Sequence, residues 1–150
     1  MSYAETLAIY PGEKVESIDE YKNAWGLAMA LWDVLAKHYL NMEAFGPYPA
    51  RGYMQDIQKL WDLWKDPRVK VEHKIVFMFT FDRAYVAKRN YKRMADAIRV
   101  TFKDLPIPTQ NVNHWPALAD FFDSDPDYPG VGLYGTSVGD LQGTLNDQAK

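Results

Sequence analysis

The sequence predicts a mainly α protein, with four to five helices packed around an aromatic-rich core and an irregular Gly/Pro-rich C-terminal region. Three observations predict this class. Apolar residues recur at spacings of three and four along several segments, aromatic residues make up 15% of the chain, and glycine, proline and aspartate are concentrated after Ser124. The alternative is an α+β fold in which residues 70–81 form a central strand that pairs with a small strand near 131–138.

The composition excludes several classes of protein. The chain has 150 residues, 47% apolar and 25% charged, with a net charge of −3, which is typical of one folded domain. We expect a single compact domain over residues 1–138 and a flexible tail over 139–150. Because the chain has no cysteine, disulfides, thiolate nucleophiles and zinc fingers are excluded.

Targeting and membrane signals are also missing from the sequence. The first six residues lack a basic stretch followed by an apolar one, so they do not form a signal peptide. The longest apolar run, Ile75 to Phe79, is far shorter than the ~20 residues of a membrane span. We therefore expect a cytoplasmic protein that does not associate with a membrane.

The first predicted helix begins at a capping box, in which Ser17 and Glu20 satisfy the free N–H groups of the first turn. One apolar face then extends over about six turns. Its small Gly26 leaves room for another segment of backbone to approach. The face is long enough to serve both a core and a homodimer, and it consists of Ile18, Tyr21, Trp25, Ala28, Trp32, Leu35 and Tyr39.

Four further segments have sequence patterns that predict a helix or a strand. Residues 53–65 predict a helix whose inward face includes Leu60, Trp61 and Trp64. Residues 70–81 are rich in Val, Ile and Phe, which favours a strand, but their helical spacing favours a helix, which we prefer. Residues 89–103 predict a helix, and so do residues 115–123, where Asn113 caps the start and Pro116 lies in the first turn.

Charge is segregated along the chain. Residues 83–103 hold seven basic residues and one acidic residue, whereas residues 104–150 hold seven aspartates and one lysine. Within the basic segment Lys88, Arg89, Lys92 and Arg93 form a stripe along one side of a helix. Such a stripe can bind nucleic acid or an acidic patch on another protein. It can also be a solvated face that pairs with the acidic tail.

Surplus aromatic residues indicate a contact surface. Tyr48 and Tyr53 flank Arg51 in a proline-containing loop, and tyrosine and arginine are enriched at binding hot spots. We therefore predict a protein interface formed by this loop together with Tyr85 and the basic stripe. Its predicted residues are Tyr48, Arg51, Tyr53, Tyr85, Lys88, Arg89, Lys92 and Arg93.

One candidate ligand site combines His114 with the carboxylates of Asp123, Asp125 and Asp127. These carboxylates have the alternate spacing of a calcium loop. The sixth position holds Tyr128 instead of glycine, and the twelfth holds Tyr134 instead of glutamate. The glycine-rich segment 130–135 lacks the strand–turn–helix context of a nucleotide-binding motif, so we interpret it as a flexible loop or a short edge strand. We assign no metal, no cofactor and no catalytic residue.

Three functional hypotheses follow. The first is a non-enzymatic protein-binding domain of microbial or viral type that acts as an inhibitor, immunity, anti-defence or adaptor protein by surface occlusion. The second is a nucleic-acid-associated protein that uses the basic helix of residues 83–103. The third is an enzyme or small-ligand binder whose site lies near His114 and the carboxylates of residues 123–127.

Overall fold

The computed structural model describes residues 3–11, 14–23, 26–41, 57–81, 84–108 and 112–135. These residues form five α-helices and a four-stranded antiparallel sheet, so the fold is α+β and the prediction of a mainly α protein is wrong. The strands lie in the order β2-β1-β4-β3. Their bounds are Tyr3–Tyr10 for β1, Lys14–Lys22 for β2, Tyr85–Ala87 for β3 and Gly130–Gly135 for β4.

A bulge in β2 explains why its sequence imitates a helix. In the register of β1 and β2, Thr6 pairs with Asp19 and Leu7 pairs with Ser17, which leaves Ile18 without a partner. An extra residue in one strand changes the phase of the inside–outside alternation. Ile18 and Tyr21, three residues apart, consequently both pack against the core. The predicted capping box of Ser17 and Glu20 therefore lies inside a strand.

The helices begin and end close to several of the predicted boundaries. Helix α1 begins at Ala28, well after the predicted start. For residues 70–81 the preferred helix is confirmed by α3, and the alternative of a central strand there is wrong. The strand proposed near 131–138 overlaps β4, however. The helices are α1 (Ala28–Leu40), α2 (Ile57–Trp61), α3 (Val71–Phe79), α4 (Tyr91–Asp104) and α5 (Trp115–Asp123), with 3₁₀ turns at Asp62–Lys65 and Lys88–Asn90.

One face of the sheet packs against the helices. Thr6 pairs with Leu133, and Ala8 pairs with Val131, which in turn pairs with Val86. Paired residues of neighbouring strands point to the same side, and Val86, Val131 and Leu133 of this face join the same apolar core as the helices. The largest fully buried side chains of that core are Trp115, Tyr91, Phe77 and Phe122.

The glycine-rich segment forms an inner strand, because β4 pairs with β1 on one side and with β3 on the other. The interpretation as a loop or an edge strand is therefore wrong. A Cβ atom on Gly130 would lie 2.9 Å from the ring of Tyr85, and one on Gly132 would lie 2.9 Å from Cδ1 of Ile9. These two glycines make room for side chains that cross the sheet face.

Two tryptophans do not lie where their spacing predicts. Trp61 and Trp64 are each 43% exposed, whereas Leu60 and Leu63 are buried. The reason is that α2 ends at Trp61 and a 3₁₀ turn follows, which changes the number of residues per turn. None of the helices within the described ranges is long and apolar enough to cross a membrane.

Candidate functional site

The basic stripe divides into two sides around α4. On the side facing α5, Lys92 Nζ lies 3.3 Å from Oδ1 of Asp123, and Arg99 lies 3.2 Å from the other carboxylate oxygen of Asp123 and 3.0 Å from Asp120. Lys88 lies 3.3 Å from the carboxylate of Asp125. This side of the stripe is therefore ion-paired with the acidic segment that follows α4.

These ion pairs change the titration of their members. Hydrogen bonds from Lys92 and then from Arg99 lower the pKa of Asp123. The bond to Asp123 raises the pKa of Lys92, and the bond to Asp120, ahead of that to Asp123, raises the pKa of Arg99. The Lys92 side chain is nevertheless 72% exposed, and exposed pairs contribute little stability. Their main effect is to neutralise the positive field on this side of α4, which would otherwise attract phosphate groups.

Arg89 and Arg93 differ from the paired cations. Both are exposed, and within the part of the chain that the structure describes neither has a carboxylate within ion-pair distance. They lie instead beside α3, along a groove that separates α3 from α4. Two guanidinium groups without a carboxylate partner are available for an anionic ligand or partner.

The α3–α4 groove, as we call it, has an apolar side formed by α3. Val71 and Met78 are 56% and 43% exposed, and Ile75 lies between them at helical spacing. One section of the groove, of about 560 Å³, runs beside Val71, Ile75 and Arg93. A second section, of about 350 Å³, shares Ile75 and Arg93 and ends at Phe81 and Tyr85. The two sections share Ile75, Asn90 and Arg93 in their linings, so they adjoin at Arg93.

Basic residues outnumber acidic residues along the groove. Arg89, Lys92 and Arg93 line it together with Glu72 and Asp96, and Lys92 pairs with Asp96 at 3.4 Å. Among the described residues that line the groove, Arg89 and Arg93 therefore outnumber the one carboxylate that is left, that of Glu72. An apolar stripe with a positive rim is complementary to an amphipathic segment that carries acidic side chains.

The predicted interface residues are only partly brought together. Tyr85, Arg89 and Arg93 border the groove, and Lys92 lies at its edge. Lys88 faces the acidic turn, where it also donates to the carbonyl oxygen of Pro126 at 2.9 Å. The remaining three predicted residues, Tyr48, Arg51 and Tyr53, lie outside the described residues, as do Trp25 and the predicted tail of residues 139–150.

The structure does not bring His114 together with the carboxylates of residues 123–127. His114 precedes α5 and Asp123 ends it, so they are separated by a helix of nine residues, or about 13 Å. The His114 ring nitrogen Nε2 lies 2.8 Å from the carbonyl oxygen of Lys22, and its backbone N–H donates to Gly26. His114 therefore connects α5 to the end of β2, and the small Gly26 admits this approach as predicted.

The aspartates of the predicted calcium-like turn pair with basic side chains of the protein itself. Asp123 and Asp125 accept from Lys92, Arg99 and Lys88, and Asp127 lies 3.9 Å from Lys88. Among the described residues, no group of three or more histidine, aspartate or glutamate side chains is arranged to hold a metal ion.

A polar network that the sequence analysis missed joins three helices. His73, only 3% exposed, lies with Nε2 2.9 Å from Oδ2 of Asp104 and with Nδ1 2.7 Å from the hydroxyl of Tyr39. That hydroxyl accepts the backbone N–H of Lys70 at 3.1 Å. The partners are 31 to 34 residues apart, so no local motif reveals them.

Asp104, His73 and Tyr39 follow one another in the order carboxylate, imidazole and hydroxyl, as in a catalytic relay. Here, however, the hydrogen bonds of this network connect parts of the fold. With the Nε2–H donated to Asp104, the Tyr39 hydroxyl donates to Nδ1 and accepts from Lys70. Each of its polar groups therefore has a partner within the protein. Lys70 also pairs with Asp104 at 2.9 Å, and hydrogen bonds from Lys70 and then His73 lower the pKa of Asp104. The network joins the C-terminal ends of α1 and α4 to the start of α3.

Comparisons with protein-family models, with curated proteins and with solved structures find no match for this chain.

Proposed function

We propose that this chain is a non-enzymatic protein-binding domain that docks an acidic amphipathic segment of another protein in the α3–α4 groove. One observation carries the proposal. Arg89 and Arg93 lack a carboxylate partner within the described residues and border an exposed apolar stripe, whereas Lys88, Lys92 and Arg99 are ion-paired with aspartates.

The shape of the groove favours a short helix or extended segment as the ligand. Val71 and Met78 are seven positions apart on α3, which corresponds to about 10 Å along the helix axis. This length matches two turns of a partner helix, with apolar side chains against α3 and acidic ones near Arg93. Binding in this groove would act by surface occlusion, as an inhibitor, immunity, anti-defence or adaptor protein does.

The nucleic-acid hypothesis has less support. A phosphate backbone needs several free cations, and three members of the basic segment are already paired with Asp120, Asp123 and Asp125. The α3 side of the groove adds Val71, Ile75 and Met78, which have no ring on which bases could stack. The rings of Phe81 and Tyr85 lie at one end of the groove only.

The third hypothesis, an enzyme or small-ligand site near His114, also has less support. The Nε2 atom of His114 lies 3.2 Å from the carbonyl oxygen of Asn23 as well as close to that of Lys22, so its ring is held by backbone. A catalytic acid or base needs hydrogen-bond reach to its substrate, and the proposed carboxylate partners lie at the other end of α5.

Comparative capture from a lysate of the source tests the proposal. The baits are the wild type, the Arg89→Glu/Arg93→Glu double variant and Lys103→Glu, all with nuclease treatment. Lys103→Glu is the control, because it reverses an exposed cation of α4 that does not line the groove. We expect one stoichiometric protein on the wild type and on Lys103→Glu that is lost from the double variant. Equal capture by all three baits, or capture that nuclease abolishes, would contradict the proposal.

A further inference from the structure

A second depression, separate from the arginine side of the α3–α4 groove, is lined mainly by aromatic rings. It has a volume of about 390 Å³ and lies where α1, α2 and the end of α3 meet. We call it the aromatic pocket. Its lining consists of Trp32, Gln58, Trp61, Trp64, Thr80 and Phe81.

The tryptophans of the pocket are oriented by the protein. The Nε1–H of Trp32 donates to the Thr80 hydroxyl at 3.0 Å, which fixes one indole at the wall. Trp61 and Trp64 are three residues apart across the end of α2, and each keeps 43% of its surface exposed. Large indole surfaces that are exposed side by side mark a binding site more often than a chance surface.

The lining offers mainly aromatic surface, since four of its six residues are aromatic. The other two already make hydrogen bonds within the protein. The Thr80 hydroxyl accepts from Trp32 and donates to the carbonyl oxygen of Phe77 at 2.6 Å, and the side-chain amide of Gln58 donates to Asp62 at 2.7 Å. The lining therefore favours a ligand that binds chiefly to aromatic faces.

Cations bind the faces of aromatic rings, and Trp64 already has one beside it, from a lysine that does not line the pocket. The Lys65 ammonium lies 5.7 Å from the centre of the Trp64 ring, within the range of a cation–π contact. Asp62 lies 3.8 Å from the same ammonium and offsets its charge. Alkylated ammonium groups bind indole faces well because they are weakly hydrated and carry no N–H donors that need acceptors.

We propose that the aromatic pocket binds a methylated ammonium group. The same chemistry occurs in a free choline-like molecule and in a trimethylated lysine side chain, and the pocket chemistry is common to both. This site does not depend on the docking of a partner in the α3–α4 groove, because Arg89 and Arg93 do not line it.

Titration of the full chain, observed through the indole N–H signals of a ¹⁵N spectrum, tests the proposal. The probes are choline, its uncharged analogue with carbon in place of nitrogen, and N-acetyl trimethyllysine amide. We expect choline to shift the signals of Trp61 and Trp64 and to bind at least about tenfold more tightly than the uncharged analogue. Tighter binding of the trimethyllysine probe than of choline assigns the site to a modified protein, and the reverse order assigns it to a small molecule.

Single variants complete the test. Trp61→Ala and Trp64→Ala each remove an exposed ring, so the fold is retained and choline binding should fall at least about tenfold. Lys103→Ala, an exposed position at the end of α4, is the control and should bind choline as the wild type does. Equal affinity for choline and its uncharged analogue, or no shift with any probe, would overturn the proposal. Neither result bears on the arginines of the groove.

Discussion

The indole Nε1–H of Trp115 donates to the backbone carbonyl oxygen of Leu27 at 2.9 Å, and both residues are buried. This bond joins the first residue of α5 to the turn before α1, across 88 positions of sequence. The same carbonyl oxygen also accepts the backbone N–H of Leu31 at 3.2 Å, so loss of the indole bond removes one of the two hydrogen bonds of a buried backbone group.

Trp115→Phe should therefore lower the free energy of unfolding by about 2 kcal/mol, from the lost hydrogen bond and the cavity left by the smaller ring. Trp64→Phe is the matched control, since Trp64 is 43% exposed and its replacement should change stability by less than about 0.5 kcal/mol. Urea denaturation followed by circular dichroism measures both. Similar losses in the two variants would show that the buried bond has no special role.

Tyr39→Phe tests the network of Tyr39, His73 and Asp104. The change removes a hydroxyl that bonds both His73 and the backbone of Lys70, so we expect a loss of about 1–2 kcal/mol. Tyr10→Phe removes an exposed hydroxyl that bonds Glu16 at 3.2 Å and should change stability little. Denaturation midpoints that move equally for the two variants would contradict a structural role of the network.

Stability should fall at acid pH because the pKa values of Asp104 and Asp123 are lowered in the folded protein. We call this falling part of the curve of Tm against pH the acid limb. A carboxyl group with a depressed pKa stabilises the fold fully above its unfolded value of about 3.9, and this contribution is lost as pH falls through the folded pKa. We expect Tm to stay level above about pH 5 and to fall below about pH 4.

Asp123→Asn should lower Tm only slightly at neutral pH, since its ion pairs are exposed, and should make the acid limb less steep, because one of the titrating groups is gone. Melting curves recorded from neutral pH into the acid range show both effects. An acid limb of unchanged steepness in this variant would mean that the pairs of Asp123 with Lys92 and Arg99 do not stabilise the fold.

Gly26→Ala tests the close approach of the segment before α5. A Cβ atom on Gly26 would lie 2.7 Å from Cγ1 of Val112, 2.9 Å from the His114 ring and 3.1 Å from the backbone oxygen of Val112. The segment must move, so we expect a loss of about 1–3 kcal/mol. Unchanged or increased stability would be the usual result of Gly→Ala where space is free and would contradict this packing.

The helical part of the fold is largely predictable from local pattern. Residues 89–103 match α4, and residues 115–123 match α5, where Asn113 accepts the backbone N–H of Trp115 at 3.0 Å as a capping residue should. Both helices have a strongly amphipathic pattern, and the apolar side of each is buried in the core.

The sheet is not predictable in the same way. The bulge at Ile18 gives β2 a spacing of three, and the glycines of β4 remove the apolar alternation that marks a strand. Both strands are held in the sheet by pairing with β1, and the residues of β4 lie more than a hundred positions along the chain from the β1 residues with which they pair. The pattern of neighbouring residues in the sequence does not reveal such long-range contacts.

The sequence predicts which types of residue form the candidate site, but not how those residues are arranged. The basic stripe is visible in the sequence, but the separation of Arg93 from its neighbour Lys92 depends on where α5 and α3 pack against α4. The exposure of Met78 and Trp61 likewise depends on which helix faces are covered, which periodicity alone does not decide.

We propose that Arg89 and Arg93 border a docking groove for an acidic amphipathic segment, and selection of a displayed library of random peptides against the wild-type chain tests this. We expect enriched peptides with acidic residues interleaved with apolar ones at spacings of three and four, bound at least about tenfold more weakly by Arg89→Glu/Arg93→Glu. Lys103→Glu, whose exposed side chain does not line the groove, should bind them normally. Peptides without acidic enrichment, or peptides bound equally by the double variant and the wild type, would contradict the claim.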